Sequence, residues 1–220
     1  MLKAVIFDCG YGGEFFADRL EEEISVIDVI RVIDWRNAEV YLKDYRAARE
    51  LASIALRPYI GKVDLIVIAN HLLSITSLKY FRKKYPNQKF IGLALKEPDT
   101  FIQRDTVILT TKALSKTMEY HGFIFCLKRR VKTMVVDDWP DKIDDGILDR
   151  AEILETFSRF MVKKGITPQE IILGCSHFED IKNDLKTIFG RKLRIYSSFD
   201  DTIRETCKLL KIRGSVRKMK

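Results

Sequence analysis

Residues 172–177, ILGCSH, set a thiol, a hydroxyl and an imidazole in consecutive positions directly after a hydrophobic run and a glycine. Cys175 is the best nucleophile or proton carrier in the chain. A free thiol has a pKa of about 8.5, and a helix start with its amide groups favours the thiolate. A thiolate can abstract a proton from an acidified carbon or attack a carbonyl. Ser176 suits a carboxylate and can also cap the helix that follows. His177 can tune the thiol or donate a proton. The competing reading is a packed cysteine beside an ordinary loop, because free cysteine behaves as a small hydrophobe.

Three further clusters have the same form, a buried run that turns polar at its end. FDCGYGG at 7–13 offers Asp8, a carboxylate placed to bind an ammonium group or steer a base, with Cys9 beside it. Gly12 and Gly13 let backbone amides approach a substrate carboxylate. The stretch lacks both GxGxxG spacing and a P-loop lysine. Gly10 stands where phosphatases of the haloacid dehalogenase type carry a second aspartate. Asn70 and His71 follow VDLIVIA, and an imidazole with a reference pKa of about 6.5 is a usable acid or base. Thr110 and Thr111 are candidate carboxylate donors. Each also has a plain structural explanation: a connecting turn, a satisfied histidine, threonines at a strand end. The aspartates at 137, 138, 141, 144 and 145 do not have the spacing of an EF-hand loop and read as a solvated loop.

Strands alternating with helices must position these clusters. KAVIF, VIDVIRVID, VDLIVIAN and KFIGLAL read as strands, separated by helical stretches at 14–23, 40–60 and 72–86. The pattern begins again with strands TVILTT, KTMVVD, EIILG and RKLRIYSS. Helices are predicted over 112–123, over 150–164 before Gly165, over 178–189, and in TIRETCKLLK. Such alternation predicts an α/β fold with mainly parallel sheets, in which ligands bind beyond the carboxyl ends of strands. Two α/β lobes facing a cleft would gather the four clusters there. The expected division is residues 1–94 plus 195–220 for the first lobe and 95–194 for the second.

Composition fits this class. The chain has 220 residues, 46% hydrophobic and 32% charged, enough to bury a sizeable core. No stretch reads as a signal peptide or membrane span, so a cytoplasmic setting with no membrane partner is expected. The four cysteines lack paired metal-ligand spacing and read as free thiols. The net charge of +8 is concentrated at 82–84, 128–132 and the C-terminal tail. It favours a small anionic ligand. Nucleic acid is not the expected partner, since no zinc-finger spacing or aromatic-interleaved groove accompanies the basic residues.

Taken in order, the clusters resemble the aspartate/glutamate racemase superfamily, and the glutamate racemases most closely. FDCGYGG resembles that family's DSGxGG start, with Cys9 in place of serine. VIAN-H at 67–71 is similar to its VxACNT strand end, TTKALSKTMEY at 110–120 to its ATxxTxxSxxY segment, and ILGCSHF at 172–178 to its LGCTHY motif. The resemblance implies two pseudosymmetric α/β lobes, a homodimer, no cofactor, and an isomerase acting at the α-carbon of an acidic amino acid such as glutamate or aspartate. It further implies that Cys175 is the second of two catalytic cysteines. Ser176 binds the substrate carboxylate, His177 supports the thiol, Asp8 lies near the substrate amine, and Asn70 and Thr111 contact substrate. Asp144 loosely matches a glutamate of the family. The first catalytic cysteine, however, corresponds to Ala69, the threonine after it to His71, and the family's PYG stretch is replaced by WRNAEVY after Asp34. Three readings follow: His71 pairs with Cys175 as an acid/base couple; Cys175 works alone, as in relatives resembling arylmalonate decarboxylase; or the fold only binds a ligand.

Overall fold

The computed structural model describes residues 1–93, 95, 105–127 and 131–212. The basic residues at 128–130 and 213–220 lie outside the described residues. The chain divides into two compact units, residues 1–94 with 198–220, and residues 95–197.

In the first unit, β1 (Leu2–Asp8), β2 (Ile27–Ile33), β3 (Leu65–Ile68) and β4 (Phe90–Gly92) form a parallel sheet in the order β2-β1-β3-β4. Both central strands are hydrophobic at successive positions because both of their faces are covered. Alternation along the strands sends Ala4, Ile6, Leu65 and Val67 to one face, and Val5, Phe7, Ile66 and Ile68 to the other. Helix α1 (Tyr11–Glu23) covers the first face through Phe16 and Leu20. Helices α2 (Ala38–Lys43), α3 (Tyr45–Leu56) and α4 (His71–Lys84) lie against the second, through Tyr41, Leu56 and Phe81. The single helix predicted over 40–60 is broken at Asp44, whose carboxylate accepts hydrogen bonds from the amides of Arg46 and Ala47 at 2.8 and 3.2 Å and so starts a second helix. The basic run at 82–84 closes α4, where cations suit the helix C-terminus, and Arg82 donates to the Phe90 carbonyl.

The second unit repeats the plan. Strands β5 (Thr106–Thr110), β6 (Val131–Val135), β7 (Glu170–Leu173) and β8 (Arg194–Tyr196) are parallel in the order β6-β5-β7-β8. The helix predicted over 112–123 is two, α5 (Lys112–Ser115) and α6 (Met118–Cys126), because the Thr117 hydroxyl accepts from the Tyr120 amide and starts α6. The segment expected to be a solvated loop contains a short helix, α7 (Trp139–Asp144). Trp139 anchors it, 1% exposed, with its ring 6.3 Å from those of both Phe157 and Phe178. Helix α8 (Arg150–Lys164) is capped by Asp149, and α9 (Lys182–Phe189) starts four residues later than the 178–189 prediction.

The chain then returns to the first unit. Helix α10 (Ser198–Leu209) buries Phe199 and Ile203 against the α1 face, with the Phe16 and Phe199 rings edge-on at 5.0 Å. The division expected at residue 195 falls inside β8, which is hydrogen-bonded to β7, so the last strand stays with the second sheet and the last helix alone joins the first. None of the described helices is long and apolar enough to cross a membrane.

Close packing explains one glycine directly. A Cβ on Gly13 would stand 2.4 Å from the Asp8 Cβ and 2.9 Å from Ile33 Cδ1, so α1 can lie over the tip of β1 only with glycine there. Gly13→Ala is therefore expected to lower stability by about 1–3 kcal/mol, the usual cost of overpacking. The urea midpoint measures it.

Candidate active site

Parallel pairing places the chemistry-bearing residues of the first unit at one edge. In the β1–β3 register Phe7 stands opposite Ile68, and the Ala69 amide donates to the Phe7 carbonyl at 2.7 Å, so Ala69 stays beside the end of β1 where Asp8 sits. Asp8 is 1% exposed. Its Oδ1 accepts from the Cys9 amide at 2.7 Å and from Asn70 Nδ2 at 2.9 Å. Hydrogen bonds of this kind offset the cost of burying a carboxylate. Asn70 Nδ2 also lies 3.4 Å from the Cys9 sulfur, while its Oδ1 caps α4 by accepting from the Leu73 amide at 2.8 Å. One side chain thus fixes the helix start, the carboxylate and the thiol.

The remaining first-unit candidates are placed differently. Gly12 and Gly13 are buried in the first turn of α1, and the Gly13 amide donates to the Gly10 carbonyl. His71 is the first residue of α4 and 5% exposed, and its Nε2 is 2.8 Å from the Ser198 hydroxyl at the start of α10. Ser198 was not legible as its partner, since 127 residues separate them. Ala69 is fully buried, and its methyl belongs to the core shared by α1 and α10.

In the second unit, β7 ends at Leu173 and the chain passes Gly174, where a Cβ would meet the Leu109 carbonyl oxygen at 2.9 Å and Thr110 Oγ1 at 3.1 Å. Cys175 follows in extended conformation, and residues Ser176–Glu179 form a 3-10 turn. The thiol is half-buried, and its sulfur lies 3.5 Å from His177 Nδ1. The other ring nitrogen, Nε2, is 3.3 Å from Asp144 Oδ2 at the end of α7. The helix that Trp139 anchors is therefore the one that delivers this carboxylate. Burial works against the His177 imidazolium. The hydrogen bonds to Asp144 and Cys175, together with the charge of the thiolate form, outweigh it and push the pKa up from 6.5 to about 11. A protonated imidazole donates from both nitrogens, which matches acceptors on both sides.

Ser176 is buried at 3% and begins the 3-10 turn, which has no side-chain cap; nor has α9, so the expected capping role of Ser176 is not realised. Thr110 is fully buried against Gly174. Thr111 caps α5, its hydroxyl accepting from the Leu114 amide at 3.5 Å. Of the acidic run at 137–145, Asp137 accepts from the Lys112 amide and Asp138 pairs with Lys142 at 2.8 Å, so those carboxylates serve local structure.

No family model matches the sequence. Relatives do. The glutamate racemase of Campylobacter jejuni is 22% identical over 206 residues, 90% of this chain and 82% of that protein. The glutamate racemase of Helicobacter pylori is 26% identical over 201 residues, 86% of this chain and 76% of that protein. Among solved structures, Campylobacter jejuni glutamate racemase superposes with a TM-score of 0.79 at 21% identity, covering 100% of this chain and 89% of that one. Allantoin racemase from Klebsiella pneumoniae superposes with a TM-score of 0.60 at 14% identity, covering 99% and 91%. The structural matches establish a shared fold, and the sequence matches run through nearly the whole chain. By sequence and by fold together, the chain is similar along nearly its whole length to glutamate racemases, and it shares their fold.

Proposed function

We propose that this protein is a cofactor-independent isomerase of the racemase/epimerase type, acting at the α-carbon of a small acidic substrate, with glutamate and aspartate the first to test. The observation that carries the reading is the line Cys175 Sγ, His177, Asp144, at 3.5 and 3.3 Å. In this chemistry the Cys175 thiolate takes the α-hydrogen as a proton. The C–H bond breaks, an S–H bond forms, and the electron pair stays on the carbon, delocalised into the adjoining carboxylate. The S–H exchanges its hydrogen with water, and transfer of that solvent-derived hydrogen back to the carbon breaks the S–H bond, restores the thiolate and completes exchange. His177, held protonated by its neighbours, is a fixed positive charge beside the sulfur, and Asp144 fixes its ring. In the first unit, Asp8 with Asn70 is suited to an ammonium group.

A second reading is favoured by two observations. Ala69 puts a packed methyl where the family resemblance places the first thiol, and the His71 Nε2 is engaged by Ser198. Both support one-sided proton transfer by Cys175 over a Cys175/His71 couple. Incubation in heavy water with D- and L-glutamate and D- and L-aspartate separates the two. Deuterium incorporation with inversion fits a racemase, and incorporation with retention fits one-sided chemistry. Absence of incorporation from all four removes glutamate and aspartate as substrates.

Cys175→Ala is expected to reduce exchange by about 10²–10⁴, the usual worth of a positioned acid/base group. Full retention of exchange in that variant would exclude the thiol as the proton carrier. The His177 charge also makes a prediction for stability. Its pKa is raised on folding, so its contribution is complete below pH 6.5 and is lost as pH rises toward about 11. The stability gap between wild type and His177→Gln, measured by urea unfolding, is expected to be widest near pH ~6 and to narrow steadily by pH ~10.

A further inference from the structure

The tips of β1 and β2 carry an aromatic pair that the proton-transfer chemistry does not use. Tyr11 opens α1, two residues after Cys9, and Trp35 follows Asp34 directly. Their rings meet edge-on with centroids 4.5 Å apart, yet they remain 46% and 44% exposed. The Asp34 amide donates to the Asp8 carbonyl at 2.9 Å, so the pair stands beside the Asp8, Cys9 and Asn70 cluster. The turn that presents Trp35 is firmly built. The Asp34 carboxylate accepts from Asn37 Nδ2 at 2.9 and 3.0 Å and from the Tyr41 hydroxyl at 2.8 Å. Tyr41 is itself 2% exposed and packs on Phe7. Asp34 is thereby committed to holding the turn.

From this we infer that the ligand's side chain is an aryl or comparably large apolar group, held by Tyr11 and Trp35, on a carboxylate whose polar head meets the neighbouring strand ends. The inference rests on the isomerase reading and names its substrate class. Two large rings packed edge-on against each other but left half in water at the carboxyl end of a parallel sheet are suited to covering a flat apolar group. A second carboxylate gains nothing from them. The charged group that such a carboxylate would use is Arg36, the next residue in the chain and exposed.

Calorimetric titration with D- and L-phenylglycine and with D- and L-glutamate tests this, on wild type and on Tyr11→Ala, Trp35→Ala, Trp35→Phe and Arg36→Ala. Circular dichroism confirms that each variant is folded. Phenylglycine is expected to bind more tightly than glutamate, by about tenfold, and to lose about that factor in Trp35→Ala but little in Trp35→Phe or Arg36→Ala. The inference is overturned if phenylglycine does not bind at millimolar concentration, or if glutamate binds more tightly through Arg36. It is equally overturned if Trp35→Ala leaves ligand binding unchanged, including the case in which it abolishes a dimer instead. Heavy-water exchange keeps the two readings apart. Trp35-dependent binding of phenylglycine without exchange sinks the isomerase reading and leaves this one. Glutamate exchange that is unaffected by Trp35→Ala does the reverse.

Discussion

In each sheet the two central strands are parallel, short and buried on both faces, β1 against β3 and β5 against β7. Parallel strands need crossover connections, so every carboxyl end of a sheet falls on the same edge. Side chains within the strands are taken up by packing. Polar residues at the last strand position and just beyond it gather at that edge. Asp8, Cys9 and Asn70 are neighbours for this reason, and so are Thr110, Gly174 and Cys175. Helices start at the same places, which gives Asn70 and Thr111 capping duties as well.

The two units settle their polar ends by different physics. In the first, a buried carboxylate is held by neutral donors, the Cys9 amide and the Asn70 side chain. In the second, a partly buried imidazole lies between the Asp144 carboxylate and the Cys175 sulfur, and these neighbours favour its protonated form against the cost of burial. The first arrangement is well suited to holding a cationic group in place. The second sets an imidazole within 3.5 Å of a sulfur, the kind of pairing that proton transfer uses.

The positions at which the strand-end motifs differ from the glutamate racemase motifs they resemble lie mainly in the first unit. At position 69 the side chain is buried in the core cluster of α1 and α10, which also holds Phe16, Phe199 and Ile203. His71, two residues on, turns its Nε2 to α10. At the tip of β2, Asp34 organises a turn around Asn37 and Tyr41 that displays Trp35. The same strand ends that are polar in the second unit are therefore partly closed by packing, and partly rebuilt in aromatic form, in the first.

Much of the architecture was legible in the residues alone. Apolar runs such as LIVI at 65–68 and IIL at 171–173 mark strands buried on both faces, and their order with the helices gives two parallel sheets. The strand-end clusters were legible too, because a change from apolar to polar is a local signal. Other features were not. Asp44 and Thr117 end helices that hydrophobic spacing would continue, since a cap competes with the periodicity it interrupts. The helix at Trp139 is stabilised by Phe157 and Phe178, residues that sequence spacing cannot bring together. Sequence by itself determined which residues could carry charge, protons or helix caps. Only the tertiary structure decided that His177 is held between Cys175 and Asp144 while His71 is engaged by Ser198, because a histidine's state is set by the partners packing brings to it from distant parts of the chain.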